Sequence, residues 1–403
     1  MASKLIYVDN TSTGSFHEMF NASSLKMFSE IYGEVIYYAS ETVKENTFNN
    51  LYKTPINITH KYIPVINSKN RISNYLFAIT AILTSCFILI KSNKKDVLFF
   101  NNTVIWSFLL HNFLCKILKR KVIFMFHGDL EYLYEPASPL NSFSMKVLEK
   151  IKQEKFTTSK DVYFCVLGES IKKNLKKYVS TKFYEKTISF EHSYIFREHI
   201  KSNKIDDSII RVGHLGELRK GKLFVDNLFK FSNSLNINKK FKFYSIGRIL
   251  YDKDILKRNG IEIISDSNER RLSRLEMDEA ISMLDYIVFL YPKEGYKLRA
   301  SGALYDAIDC EKPILLLKND YFENIISEHK DIGCLFENEN EIVDYLKNVK
   351  KSNKILNFKI IKQKLGPKSL GLKFKKELEK LVQAETNKQL NKLAGYSAKS
   401  QKD

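Results

Sequence analysis

Hydrophobic and polar positions form two kinds of segment that alternate along most of the chain. Short continuous apolar runs, such as Lys4–Asp9 and Asp96–Asn102, are bounded by polar or glycine residues. Helix-length segments with a wider spacing of apolar residues lie between them. Continuous apolar strands that alternate with helices are typical of a parallel sheet, because crossover connections cover both of its faces. The pattern therefore predicts an α/β fold.

The predicted strands form two consecutive groups. In the first half they are Lys4–Asp9, Glu34–Ser40, His60–Ile66, Asp96–Asn102, Lys121–His127, Val162–Gly168 and Lys186–His192. In the second half they are Ile209–Leu215, Phe241–Gly247, Ile261–Ser265, Tyr286–Tyr291, Pro313–Leu317 and Cys334–Phe336. Because 403 residues exceed one ordinary core, the pattern predicts two Rossmann-like, doubly wound domains that face each other across a cleft.

The polar segment Ser193–Asp207 has no periodicity and is interpreted as the hinge. We therefore expect an N-terminal, acceptor-side domain at 1–195 and a C-terminal, nucleotide-binding domain at 208–365. A helix at 366–382 is predicted to pack back toward the N-terminal domain, and residues 383–403 are predicted to form a flexible polar tail.

One apolar segment, Tyr75–Ile90, raises the question of a membrane span. It contains only Thr80, Thr84 and Ser85 as polar interruptions. A bilayer span needs roughly 20 residues, so this segment is short for one. The favoured prediction is a helix buried beneath a sheet, and an interfacial helix is the alternative.

Composition indicates a folded protein, with 44% hydrophobic and 28% charged residues. The five cysteines contain no CxxC pair, which favours free thiols over a disulfide framework or zinc site. Since the N-terminus has no signal-peptide pattern, we expect a cytoplasmic location, with peripheral contact at the inner face of the plasma membrane left open. The net charge of +19 is compatible with a solvated surface or with binding to an anionic membrane or to nucleic acid. Because the sequence has no nucleic-acid-binding motif, we expect no nucleic-acid partner.

Ligands of doubly wound sheets bind beyond the carboxyl ends of the strands, so the loops there carry the candidate chemistry. The loop GHLGELRKGK combines Gly216, at which the backbone can approach an anion, with the cations Arg219 and Lys220. Ser301 and Gly302 begin a later helix, where backbone amides bind anions well. These five residues are the predicted diphosphate site.

These motifs resemble, in order, those of retaining GT-B glycosyltransferases of the family-4-like group. The resemblance implies that the segment FKFYSIG, which ends at Gly247, and the following Arg248 lie at the nucleotide. It also implies that Asp306 binds the ribose hydroxyls. Leu298 stands where the family has its first carboxylate, so Glu294 is the expected replacement in a catalytic role. Arg299 is an alternative anion ligand.

The N-terminal half carries a second set of candidates. His127 follows a predicted strand, and the resemblance implies a catalytic place for it beside the donor sugar. The loop at Gly14, His17 and Glu18 corresponds to the family loop that approaches the reaction centre and the acceptor. If the enzyme inverts configuration, His17, Glu18 and Asp9 are the candidate bases.

The predicted function is transfer of a hexose-type sugar from a nucleoside diphosphate donor to a glycan or lipid-linked glycan, in bacterial surface-polysaccharide assembly. Retention of configuration is favoured, and no cofactor or metal is expected. Asp252-Lys253-Asp254 has a metal-binding DxD form but is interpreted as a helix cap. The alternatives are an inverting transferase, a nucleotide-sugar epimerase and a basic nucleic-acid-binding protein.

Overall fold

The computed structural model describes residues 4–51, 57–67, 70–134, 142–197, 208–219, 224–236, 240–265, 272–349 and 357–399. The chain forms two compact units: unit 1 comprises residues 1–195 with 365–403, and unit 2 comprises residues 196–364. Each unit contains one large parallel sheet with helices in its crossover connections.

Unit 1 is built on a seven-stranded sheet of order β3-β2-β1-β4-β5-β6-β7. Its strands are β1 (Lys4–Val8), β2 (Glu34–Ala39), β3 (Ile58–Tyr62), β4 (Val97–Phe100), β5 (Lys121–Met125), β6 (Val162–Leu167) and β7 (Thr187–Phe190). Its helices up to residue 195 are α1 (Glu18–Ser29), α2 (Glu41–Asn49), α3 (Arg71–Lys91), α4 (Phe108–Leu118), α5 (Ser142–Lys152), α6 (Glu169–Leu175) and α7 (Thr181–Glu185). In its core, Tyr7 pairs in register with Tyr37 and Phe99 on the flanking strands, and the three rings are fully buried.

Unit 2 is built on a six-stranded sheet of order β12-β10-β8-β13-β14-β15, and a small sheet pairs β11 with β9. Its strands are β8 (Ile210–Leu215), β9 (Leu218–Arg219), β10 (Phe241–Ile246), β11 (Ile249–Leu250), β12 (Ile261–Ile264), β13 (Tyr286–Phe289), β14 (Ile314–Leu317) and β15 (Gly333–Phe336). Its helices are α8 (Val225–Asn236), α9 (Lys253–Arg258), α10 (Arg274–Ser282), α11 (Gly302–Asp309), α12 (Asp320–Glu328), α13 (Glu339–Asn348) and α14 (Phe358–Leu365).

The last helix, α15 (Pro367–Lys399), begins in the segment that belongs to unit 1. Phe374 packs edge-on against Phe28 of α1, with ring centroids 5.3 Å apart. Gly371 lies so close to α1 that an added Cβ would be 3.0 Å from the Met27 carbonyl oxygen. The helix extends beyond residue 382, the predicted end, because the following residues include many strong helix formers.

The predicted α/β fold class is confirmed, and every predicted strand overlaps an observed one. Strands β9 and β11 were not predicted, because two residues each are too short for a recognisable pattern.

The helix predicted at Tyr75–Ile90 is present, but the prediction that it is buried is wrong for most of the helix surface. Helix α3 buries a narrow face of Ala78, Ala81, Ser85, Ile88 and Leu89 and exposes several large apolar side chains. The misprediction arose because a helix that is apolar all round is normally buried. In the described part of the chain, α3 is also the one helix long and apolar enough to cross a membrane, judged by length and composition alone.

The strand order of each sheet fixes where its ligand crevice lies. In unit 1 the order reverses between β1 and β4, and in unit 2 it reverses between β8 and β13. Loops that follow such neighbouring strands diverge to opposite faces of the sheet and leave a crevice at the carboxyl ends. The expected ligand crevice therefore lies beside the residues that follow Val8 and Phe100 in unit 1, and beside those that follow Leu215 and Phe289 in unit 2.

Candidate functional site

Unit 2 has a pocket of about 160 Å³ at its switch point. Its lining includes residues at the end of β8 and just after it, and residues at the start of α11: His214, Gly216, Glu217, Ser301, Gly302 and Ala303. The structure thus brings together three of the five residues predicted to bind a diphosphate: Gly216, Ser301 and Gly302. Lys220, the fourth, lies outside the described residues.

Two glycine turns shape one wall of this region. Gly216 has φ 123° and Gly247 has φ 134°, a backbone region that side-chain-bearing residues rarely adopt. A Cβ at Gly247 would lie only 2.4 Å from the Gly216 carbonyl oxygen, so the two turns are in direct contact. Leu218 donates its amide hydrogen to the Arg248 carbonyl at 3.0 Å, which begins the β9–β11 pairing. The predicted phosphate and nucleotide turns are therefore one structural unit.

A small charged group lies on this pair of turns. The Glu217 carboxylate is 3.4 Å from the Arg219 Nε and 3.4 Å from the Arg248 Nη1. The side chain of Arg219 is 58% exposed, so its guanidinium is accessible to a ligand. Glu217 was not singled out from the sequence, yet it lines the pocket and contacts both predicted arginines.

Helix α11 presents its N-terminus to the pocket. The cap residue Ser301 makes no side-chain capping bond, whereas the cap residues of α9, α10, α12 and α13 in the same unit each accept at least one. Ser301 is buried and Gly302 is exposed. The first amides of a helix carry partial positive charge and point outward along its axis. The beginning of α11 is therefore suited to an anion.

An aromatic stack, absent from the sequence-based candidates, borders the pocket. Tyr296 lies parallel to Tyr291, with ring centroids 3.9 Å apart, and the Arg299 guanidinium lies 4.6 Å from the Tyr296 centroid. Tyr296 has φ 59°, which is uncommon for a bulky residue and costs about 1–3 kcal/mol. Both tyrosines line the pocket. Arg299 therefore stacks on the wall of the pocket.

Two further predicted residues lie elsewhere. Glu294 is exposed on the loop after β13 and is not part of the pocket lining. Asp306 pairs with Arg274, whose Nη1 is 2.5 Å from the carboxylate, within a cluster that includes Asp278. Leu298 is buried, in accordance with a packing role at the position where the family carries an acid.

In unit 1, a chain of buried amides connects Asp9 to His127. Asn21 donates to the Asp9 carboxylate at 2.5 Å and accepts from Asn101 Nδ2 at 2.8 Å and from the Tyr7 hydroxyl at 2.9 Å. Asn101 Oδ1 lies 3.0 Å from His127 Nε2. Asp9, Asn21 and Asn101 are fully or almost fully buried. The network therefore joins the ends of β1, β4 and β5 to the first helix.

The direction of these hydrogen bonds determines the tautomer of His127. Asn101 uses its amide nitrogen to donate to Asn21, so its oxygen is the atom that faces His127. An amide oxygen only accepts, and Nε2 of His127 must therefore carry the proton. The remaining nitrogen, Nδ1, is then an acceptor in the neutral ring.

The surroundings of His127 keep its ring neutral. The His17 ring stacks on it with centroids 4.3 Å apart, and Phe20 contacts both His127 and His192 edge-on. Burial, together with the charge that His192 would carry, lowers the pKa of His127 to about 3. Burial also raises the pKa of Asp129 to about 6 and raises that of Asp9. A neutral imidazole can accept or donate a hydrogen bond at physiological pH without gaining charge.

The other unit 1 candidates lie in the loop after β1. His17 is the cap residue of α1, with φ 61°, and its stacking on His127 brings two predicted residues together. Glu18 is the first residue of α1, and Gly14 is exposed in a turn with φ 57°. His192, Asn21 and Asn101 were missed by the sequence analysis.

No described residues form a group of three or more His, Cys, Asp or Glu that could hold a metal ion. The DxD-like segment caps α9, as predicted: the Asp252 carboxylate accepts from the amides of Asp254 at 2.9 Å and Ile255 at 3.1 Å. All five cysteines are free thiols, and two of them are buried.

Several solved structures have a similar fold and give it a family context. HepE from Anabaena, in complex with UDP and glucose, is 11% identical with a TM-score of 0.58, and the match covers 94% of this chain and 99% of HepE. The lipopolysaccharide outer core galactosyltransferase WaaB is 11% identical with a TM-score of 0.56, covering 94% and 99% of the two chains. TarM is 11% identical with a TM-score of 0.58, covering 97% and 98%.

No protein-family model matches the sequence, and the search of curated proteins finds no match. The structural likeness extends over nearly the whole length of both chains in each pair, so it includes both units. At such low identity it establishes the architecture. The protein therefore has the two-unit α/β fold of the GT-B glycosyltransferases.

Proposed function

We propose that this protein is a glycosyltransferase that moves a hexose-type sugar from a nucleoside diphosphate donor to a hydroxyl of a glycan or lipid-linked glycan. In the reaction, the bond between the anomeric carbon and the diphosphate oxygen breaks, and its electron pair remains on the diphosphate. The acceptor oxygen forms the new bond to the anomeric carbon and loses its proton. The protein must therefore stabilise the negative charge that grows on the diphosphate.

The observation that carries the proposal is the pocket between the Gly216 turn and the start of α11. At about 160 Å³, it is smaller than the roughly 300–1,000 Å³ of complete small-molecule sites, so it fits one part of a nucleotide sugar. An uncapped helix N-terminus and a glycine turn suit a diphosphate, because close backbone amides and helix ends bind such anions. Arg219 supplies an accessible cation next to that turn.

In this proposal, unit 1 supplies a neutral hydrogen-bonding group. The Asp9–Asn21–Asn101 network fixes His127 with its proton on Nε2, so Nδ1 serves as the acceptor for a sugar or acceptor hydroxyl. A fixed tautomer matters because a freely reorienting ring would offer a donor and an acceptor in turn. His17, whose ring stacks on that of His127, is the neighbouring candidate for hydrogen bonding to the same hydroxyl groups.

The finer assignments are also proposals. We propose retention of configuration, from the resemblance of the glycine-rich and α11 motifs to the retaining group. We propose that cationic side chains and helix amides replace a metal, that the enzyme needs no other cofactor, and that it works in the cytoplasm on bacterial surface polysaccharide. HepE and TarM have been solved with UDP, which makes UDP-sugars the first donors to test.

The test is turnover of UDP-, GDP- and dTDP-sugars with and without acceptor glycans, with the product's anomeric configuration read by NMR. We expect acceptor-dependent release of nucleoside diphosphate and a retained anomeric centre. Release of free sugar or an altered donor without acceptor would identify an epimerase instead. Absence of turnover and of nucleotide binding across the panel would contradict the proposal.

A matched pair of variants locates the reaction in the pocket. Arg219→Ala removes an exposed cation beside the Gly216 turn, and Lys347→Ala removes an exposed lysine of α13. We expect turnover to fall at least about tenfold in the first variant, since a charged hydrogen bond to a diphosphate contributes about 1.5–3 kcal/mol. Lys347→Ala should retain the wild-type rate.

A further inference from the structure

Most of the exposed large hydrophobic side chains of the described chain lie on two helices of unit 1. Of fourteen such side chains, seven lie on α3 between Ile72 and Ile90, and three, Leu110, Phe113 and Ile117, lie on α4. The two helices contact each other. Single exposed apolar residues are ordinary, but a concentrated patch marks an interaction surface. We call this surface the α3–α4 face.

Up to Ser85, the buried face of helix α3 consists of small residues, and Ile88 and Leu89 join it only in the last turns. Ala78, Ala81 and Ser85 lie on the buried face, whereas Leu83 is 64% exposed and Phe87 is 56% exposed. A surface helix normally buries its large apolar side chains and exposes polar ones. The reversed arrangement leaves the apolar side chains available to an external apolar phase.

Hydrogen bonds hold α3 on the body of unit 1. The Asn10 side chain donates to the Ala81 carbonyl at 2.7 Å and to the Ser85 hydroxyl at 2.7 Å. At the other end, Arg120 Nε donates to the Leu89 carbonyl at 3.0 Å. Arg120 is buried, and its side chain caps the carboxyl end of the helix. A helix attached in this way lies along the protein surface rather than across a bilayer.

Exposed lysines border the α3–α4 face at the carboxyl ends of both helices, and acids are absent from its sequence. Residues 71–95 and 105–121 contain no Asp or Glu. Lys91, Lys94 and Lys95 are exposed after α3, and Lys116 and Lys119 are exposed on α4 and at its end. The Lys91 Nζ lies 6.0 Å from the Phe87 ring, so its stem runs over an apolar side chain while the charge reaches outward.

We propose that the α3–α4 face docks on an anionic lipid bilayer, with α3 in the plane of the headgroups. Apolar side chains that insert among acyl chains, rimmed by lysines that contact anionic headgroups, are the chemistry of interfacial helices. A second copy of the chain is disfavoured as the occupant, because pairing two such faces would bring their lysine rims together. The inference stands independently of the glycosyltransferase proposal.

The experiment uses the full chain and vesicles of phosphatidylcholine alone or with about 30% phosphatidylglycerol, at about 0.15 M salt. Co-sedimentation measures binding. Trp106, the only tryptophan, lies two residues before the start of α4, and its quenching by brominated acyl chains reports insertion. We expect binding to the anionic vesicles with quenching of Trp106, and weaker binding to phosphatidylcholine alone.

Matched variants test the face itself. Leu83→Gln, Phe87→Gln and Phe113→Gln together should weaken vesicle binding at least about tenfold, since each removes a large apolar group. The control combines Leu275→Gln, Ile360→Gln and Leu372→Gln, which are 74%, 49% and 59% exposed on other helices. The control should bind like the wild type, and all three proteins should melt at similar temperatures.

Three results would overturn the proposal. The first is failure of the wild-type chain to bind anionic vesicles, and the second is equal binding by the α3–α4 triple variant. The third is a wild-type dimer that does not bind vesicles and becomes monomeric in that variant, which would make the face a self-association surface.

Discussion

The switch points of the two units carry different kinds of candidate site. In unit 2 the pocket lies between the Gly216 turn, which is in contact with Gly247, and the start of α11 at Gly302, and the stacked Tyr291 and Tyr296 also line it. In unit 1 the corresponding position is filled by hydrogen-bonded side chains that run from Asp9 to His127. Similar parallel sheets thus present a pocket beside a glycine turn and a helix N-terminus in one case and a buried polar network in the other.

The difference separates two chemical tasks. Backbone amides and helix ends stabilise a polyanion without depending on the protonation state of a side chain. A buried network instead fixes one neutral imidazole in one tautomer, which suits recognition of hydroxyl groups. If the comparison holds, substitutions in unit 2 should change affinity for nucleotides, and substitutions in unit 1 should change turnover and pH dependence.

Gly247→Ala should have the largest effect. Its Cβ would meet the Gly216 carbonyl at 2.4 Å, and φ 134° is strained for alanine, so we expect a loss of about 2–6 kcal/mol in unit 2. Gly14→Ala is the control, because Gly14 has φ 57° but nothing within 4 Å of its Cβ, and should cost about 1–2 kcal/mol. Hydrogen exchange should accelerate in β8 and β10 for the first variant and leave them unchanged for the second.

Asn21→Leu should disrupt unit 1 by about 2–4 kcal/mol, since it leaves buried polar groups without hydrogen-bond partners. Asp9 loses a donor, and Asn101 and Tyr7 lose their acceptor. Urea unfolding, monitored by hydrogen exchange in β1 and β4, would measure this loss of stability. Asn348→Ala, which removes an exposed amide on α13, should be nearly neutral. Unchanged exchange in β1 and β4 for Asn21→Leu would refute the role of the network.

His127→Gln should produce a smaller, pH-dependent effect. Unfolded, His127 takes up a proton near its ordinary pKa of 6.5, whereas burial lowers its folded pKa to about 3. The stability of the folded protein therefore falls as pH drops through this window, by at most about 1.4 kcal/mol per pH unit. The variant should lose this part of the dependence between pH 6 and about 4. Asp129, whose pKa is raised to about 6, contributes with the opposite sign but equally to both proteins. If the stability of the wild type and of His127→Gln changed with pH in the same way, the assignment of a lowered pKa to His127 would be contradicted.

Much of the fold follows from the sequence, because continuous apolar strands and short polar loops leave few alternatives to a parallel sheet. The exception is α3: its composition predicts burial, but small residues at Ala78, Ala81 and Ser85 set its inner face. The site was predictable where chemistry is local, as at Gly216, Ser301 and Gly302.

Other site residues differ in how far local patterns could have shown them. Asp9 directly follows β1 and was among the candidate bases, and Asn101 directly follows β4, a signal that could have found it. Asn21 lies within a helix that shows no corresponding signal, and its importance depends on Tyr7, Asp9 and Asn101 meeting around it. Tyr296 likewise acquires its place from a strained backbone and from stacking on Tyr291.

The most direct test is calorimetric titration of UDP, GDP and dTDP into the full chain and into Ala303→Glu. Ala303 lines the pocket at the start of α11, so a carboxylate there would occupy the space and repel a diphosphate. Leu275→Glu, at an exposed position on α10, is the matched control. We expect at least one nucleoside diphosphate to bind the wild type and the control, with affinity at least about tenfold weaker in Ala303→Glu. Equal affinity in all three proteins, or no binding to any, would contradict a nucleotide site in unit 2.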